Sequence, residues 1–114
     1  MALDLDALPV VDPDLRAELE MVGGPELPAR LVHMFLDDVS GLIGQIDTAQ
    51  AAGDSASLAK SAHRIKGGAA AVGAQRVVAV AKAIEFAGRQ ERLADVPGLM
   101  PILSTELDAL KARF

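Results

Sequence analysis

Cysteine, tryptophan and tyrosine are absent from this chain of 114 residues, and its only aromatic residues are three phenylalanines. The lack of cysteine excludes disulfides, thiolate metal ligands and a cysteine nucleophile. Hydrophobic residues still make up 51% of the chain, so a core must be built from Ala, Leu, Val and Ile. That palette favours helices over a sandwich or barrel, which lean on aromatic and β-branched residues. No apolar run approaches the roughly 20 residues that cross a bilayer, and the N-terminus carries no signal-peptide pattern. A cytoplasmic protein without membrane attachment is expected. There is no glycine-rich phosphate loop and no paired carboxylate and histidine pattern. Two histidines thirty residues apart, His33 and His63, make a poor metal pair. Neither a metal nor a cofactor is expected of the chain itself.

Basic residues are scarce in the first half. Residues 1–59 hold eleven acids against Arg16 and Arg30, a balance of −9. Residues 60–92 reverse this, with seven bases (Lys60, Arg64, Lys66, Arg76, Lys82, Arg89 and Arg92) against Glu85 and Glu91, a balance of +5. An acidic chain, −5 overall, is a poor general binder of nucleic acid. A local basic third suits an acidic protein partner or a phosphate.

The length fits one domain, 1–114, with residues 1–12 as a lead-in. Asp12 and Pro13 read as an N-cap and first-turn proline for a short helix over Asp14–Met21, stopped by Gly23 and Gly24. Apolar positions at three- and four-residue steps, from Leu31 through Phe35, Val39, Leu42 and Ile46, predict a long helix from about Glu26 to Gly53. Phe35 is read as core. A third helix begins at Asp54 or Ser55. A fourth runs over Ala74–Gly88, and a last over Leu99–Arg113 after a turn at Asp95–Gly98. Pro101 is tolerable only in a first turn. The short connections predict an all-α fold, an up-and-down antiparallel four-helix bundle with a short additional N-terminal helix. The Ala69–Ala71 run offers close packing for the third helix. Met1 and the ending of the last helix suggest a free-standing chain, and a monomer is expected.

On a helical wheel at about 100° per residue, Leu58, Ala62, Ile65, Ala69 and Val72 share one direction. They make the buried stripe of the third helix. His63 lies roughly 140° away, with Lys66, Gly67 and Ala70 three, four and seven residues on, along its own face. Neutral imidazole is a good nucleophile near neutral pH. Phosphoryl transfer asks the protein mainly for positioning and charge stabilisation. His63 is therefore the candidate acceptor of a phosphoryl group and Lys66 its stabilising charge. Gly67 gives clearance for a partner. Glycine inside a helix costs about 1 kcal/mol relative to alanine, so the pair Gly67 and Gly68 asks for a reason, and close approach of a partner supplies one. Docking is assigned to a patch around the histidine comprising Lys60, Arg64, Ala70, Gly73 and Arg76.

The run His63-Arg64-Ile65-Lys66-Gly67-Gly68-Ala69-Ala70-Ala71-Val72-Gly73 resembles the signature of histidine-containing phosphotransfer (HPt) domains. The similarity extends to Gly24–Leu27, Met34–Asp38, Ala52–Asp54, and Ala81–Glu85 with Arg89. The resemblance implies a four-helix bundle that carries a phosphoryl group between receiver-domain aspartates in a multistep relay, without kinase activity of its own. The implied partners are response-regulator receiver domains, which supply Mg²⁺ and an acidic pocket, and a hybrid histidine kinase. The family often has serine near positions 68–70, where this chain has Gly68, Ala69 and Ala70. A second reading is a helical adaptor that docks a receiver or histidine kinase without taking phosphate.

Overall fold

The computed structural model describes residues 3–114. Five α-helices follow one another: α1 (Pro13–Gly23), α2 (Leu27–Ala52), α3 (Ser55–Ala71), α4 (Gln75–Arg89) and α5 (Val96–Ala112). Single 3₁₀ turns precede α1 at Leu5–Ala7 and α5 at Leu93–Asp95. The described residues contain no strand. α2 packs on α3, α3 on α4, α4 on α5, and α5 returns to α2, while α1 lies against α2. Ile46, Leu58, Ile65, Ile84, Leu103 and Leu110 are fully buried where these faces meet. Each such side chain contributes about 1.5–3 kcal/mol by leaving water.

The helix ends follow their local chemistry. The Asp12 carboxylate accepts from the Asp14 amide at 3.0 Å and Pro13 opens α1. Asp54 does the same for α3, accepting from the Ser57 amide at 3.1 Å and the Ser57 hydroxyl at 2.7 Å. These contacts occupy amides that have no partner inside the first turn. Gly53 ends α2 with φ +68°, a left-handed conformation that glycine takes without penalty.

Two expectations are corrected. α5 begins at Val96, three residues before Leu99, so Pro101 lies inside the helix and not in its first turn. Proline there cannot donate to the Pro97 carbonyl. Both prolines are exposed, which keeps the freed carbonyl out of the core. The Ala69–Ala71 run does not supply the close helix contact either, since only Ala69 is buried. The tight approach lies about three turns away. A Cβ placed on Gly88 of α4 would stand 3.1 Å from both Cβ and the backbone nitrogen of Ala59 on α3.

The first two residues of the lead-in lie outside the described residues. The remainder is tied to the body of the protein. Val10 is buried in the core, the Asp12 amide donates to the Gly73 carbonyl at 2.8 Å, and Arg76 Nε donates to the Leu8 carbonyl at 2.8 Å.

Candidate functional site: an oriented histidine on α3

The stripe read for α3 holds. Leu58, Ala62, Ile65 and Ala69 are fully buried and Val72 nearly so. His63 consequently stands on the outer face, with 58% of its side chain exposed. Its orientation comes from α4. The stripe Val77, Val80, Ala81 and Ile84 faces the core and leaves Glu85 at the α3 boundary, its side chain only 6% exposed.

Glu85 gathers three donors. Its Oε2 lies 2.9 Å from His63 Nδ1 and accepts from Arg89 Nη2 at 2.7 Å and Nε at 3.1 Å. Its Oε1 accepts from Lys66 Nζ at 2.5 Å. Burial acts to raise the Glu85 pKa. The hydrogen bonds from Lys66, Arg89 and His63 outweigh it and hold the carboxyl at about 2, below the ordinary 4.5. The carboxylate is therefore ionised throughout the neutral range and can only accept. A hydrogen bond at Nδ1 then requires Nδ1 to carry the proton. In the neutral ring this leaves the lone pair on Nε2, the nitrogen without a protein partner.

The neighbours of His63 divide by side. Lys66 turns toward α4 and Glu85. Lys60 and Arg64 line a groove of about 760 Å³ on the α2 side, with Gly41, Gly44 and Thr48 opposite. Ala70 is exposed along the histidine face. The two adjacent glycines differ in purpose. A Cβ on Gly67 would meet nothing within 4 Å, whereas one on Gly68 would stand 2.8 Å from Phe35 Cδ1. The surface is thus open at Gly67, whereas Gly68 makes room for the buried Phe35 ring.

Gly73 and Arg76 are not brought to the histidine. Gly73 is buried in the α3–α4 turn with φ +73°, against Leu15 and Asp12. Arg76 lies nine residues before Glu85 on α4, about 13 Å along the helix axis. Besides Leu8 it faces the buried Glu106 at 3.9 Å. Both residues hold the N-terminal segment in place. His33, Asp37 and Asp38 are exposed on α2. No group of three or more His, Asp or Glu among the described residues is placed to hold a metal ion.

Sequence reasoning assigned no role to Glu85. Its signal was present as one of only two acids in the basic stretch 60–92, four residues before Arg89 on a helix otherwise rich in small apolar residues.

A helical domain presenting a solvent-facing histidine that is oriented by a buried carboxylate and flanked by a lysine and an arginine has the make-up of a phosphoryl carrier. Residues 30–113 match the Hpt domain family, and the chain belongs to it. Histidine-containing phosphotransfer protein B (HptB) from Pseudomonas aeruginosa PAO1 is similar in structure, with a TM-score of 0.83 and 28% sequence identity over 91% of this chain and 90% of that one. No curated protein matches the sequence significantly.

Proposed function

We propose that the chain serves its histidine phosphotransfer role in a phosphorelay through Nε2 of His63. The observation that carries this reading is the exposed imidazole whose Nδ1 is engaged by the ionised Glu85. Nε2 attacks the phosphorus of a receiver's aspartyl phosphate. The N–P bond forms as the O–P bond breaks, and the partner's aspartate leaves as a carboxylate. Positive charge then builds on the ring, and the Glu85 carboxylate offsets it through the Nδ1 proton. Lys66 and Arg89, both on Glu85, supply cations for the phosphoryl oxygens. Return transfer runs these steps backward, with the aspartate of a second receiver as nucleophile.

Gly67 keeps the approach to Nε2 open, and Lys60 and Arg64 form a basic rim. Mg²⁺ belongs to the receiver's acidic pocket, and no cofactor is assigned to this chain. A hybrid histidine kinase feeds the relay, and the carrier has no kinase activity. We read residues 1–114 as one domain, a cytoplasmic monomer. The helices α2–α5 form the up-and-down antiparallel bundle, and α1 is the additional N-terminal helix. Support comes from the short connections and the closed ring of helix contacts. No helix among the described residues is long and apolar enough to cross a membrane.

The test is incubation with a panel of phosphorylated receiver domains and Mg²⁺, with His63→Gln in parallel. Acid-labile, base-stable label on the native protein alone is expected. Label retained on His63→Gln would overturn the assignment. A variant that loses label, with the signal still passed on, would favour the adaptor reading.

A further inference from the structure

The seam between α3 and α4 holds two contacts one turn apart. Ala59 of α3 meets Gly88 of α4, and His63 meets Glu85. Ala59 precedes His63 by four residues, and Gly88 follows Glu85 by three. The two helices therefore pass in opposite directions, and the contacts are neighbouring rungs about 5–6 Å apart. Lys66, further along α3, reaches the same carboxylate.

We propose that Gly88 is a positioning residue for phosphotransfer: its missing side chain lets α4 come close enough to α3 for the Glu85 carboxylate to hold the His63 ring. This inference rests on the phosphotransfer reading. Three observations carry it.

The first is space. Gly88 is buried. A Cβ there would stand 3.1 Å from the Ala59 Cβ, from the Ala59 backbone nitrogen and from Leu58 Cδ2. Non-bonded carbon atoms settle at about 3.5–4.0 Å. Two of the three atoms are fixed to the α3 backbone, and Leu58 is fully buried, so none can step aside. The helices themselves would have to part by about 0.4 Å or more. The second is reach. His63 Nδ1 lies 2.9 Å from Glu85 Oε2, and ordinary N–H···O bonds end near about 3.2 Å. A parting of that size stretches the contact past its limit. The third is competition. Arg89 shares α4 with Glu85, and its bonds to Oε2 at 2.7 and 3.1 Å lie within one helix. A wider seam weakens the bonds from His63 and Lys66 and leaves those from Arg89 intact, so the carboxylate turns to Arg89. Glycine is otherwise a poor choice inside a helix, and the spacing of this seam gives the reason for it.

The test compares the native protein with Gly88→Ala, with the double variant Gly88→Ala/Ala59→Gly, and with Leu110→Val. The last loosens the core from α5, which carries none of the site residues. Each is assayed for transfer from phosphorylated receivers and for direct labelling by phosphoramidate, a small donor that needs no docking. The ¹⁵N shifts of the His63 ring, taken where the ring is neutral, report its tautomer. Gly88→Ala should slow labelling by about tenfold with both donors and move the ring toward a mixture of tautomers. The double variant, relieved of the Ala59 methyl, should recover part of both losses. Leu110→Val should lower Tm with native labelling and a native tautomer. Should Gly88→Ala fail to fold, Ala59→Val crowds the same seam from α3 and should give the same pattern. A native tautomer and native rates in a folded seam variant would overturn the spacing role and leave the phosphotransfer reading standing. So would an equal loss in Leu110→Val, or a loss with receivers alone, which would mark a disturbed docking surface. Native protein that takes label from no receiver would overturn the relay reading, and with it the role of Gly88 in transfer.

Discussion

His63 Nδ1 and Glu85 Oε2 stand 2.9 Å apart although the two residues are 22 positions apart in the chain. The contact links an exposed ring on α3 to a buried carboxylate on α4, and it selects the tautomer that leaves Nε2 free. Replacing Glu85 with alanine removes the acceptor shared by His63, Lys66 and Arg89. Transfer to the protein should slow by about 10- to 100-fold, the usual consequence of losing an orienting partner. Glu85→Gln keeps a hydrogen-bonding shape without the charge and should fall between alanine and native. Stopped-flow transfer kinetics check this.

The same carboxylate sets an acid limit on stability. Glu85 titrates near 4.5 when unfolded and at about 2 when folded, so the unfolded state binds its proton more readily. Its contribution is fully present above about pH 4.5 and is lost as pH falls toward 2. It amounts to at most on the order of 3 kcal/mol. Urea titrations of the native protein and Glu85→Gln should diverge above pH 4.5 and converge near pH 2. A constant difference across that window would remove Glu85 from the acid limb.

The two adjacent glycines should separate cleanly. Gly67→Ala meets no neighbour and should stabilise the helix by roughly 0.5–1 kcal/mol while slowing transfer. Gly68→Ala pushes a methyl against the buried Phe35 ring and should cost about 1–3 kcal/mol. Phe35→Leu should recover part of that loss. Thermal melts together with transfer rates test both arms.

Arg76→Ala should act on stability. It frees the Leu8 carbonyl and leaves Glu106, whose Oε1 is buried without a hydrogen-bond partner, further from any cation. A loss of about 1–3 kcal/mol is expected, lowering Tm by roughly 5–15 °C. Labelling of His63 by phosphoramidate should be unchanged, since Arg76 lies away from the ring.

Much of this was legible along the chain. The buried stripe of α3 and the outward histidine followed from a 3.6-residue period, because Leu58, Ala62 and Ile65 leave His63 only one face. Asp12, Asp54 and Gly53 announced helix ends through local hydrogen bonding and backbone freedom. The missing parts depend on contacts between distant segments. Glu85 gains its role from donors on another helix, and no period marks a carboxylate as an orienting group. Gly68 is explained by Phe35, thirty-three positions earlier. Gly73 and Arg76 carry the signature of an exposed, basic helix start, yet the lead-in folds back over them. Pro101 argued for a helix start just before it by its local chemistry. The apolar stripe Val96, Leu103, Leu107 and Leu110 outweighed it, with the cost kept on the solvent side.

The most direct test is to phosphorylate protein carrying ¹⁵N-labelled histidine and to read by ¹⁵N and ³¹P NMR which ring nitrogen bears phosphorus. Phosphorus bonded to Nε2 of His63, with the Nδ1 proton still hydrogen-bonded, is the predicted result. Phosphorus on Nδ1, or on His33, would contradict the role assigned to Glu85 and with it the account of how this site works.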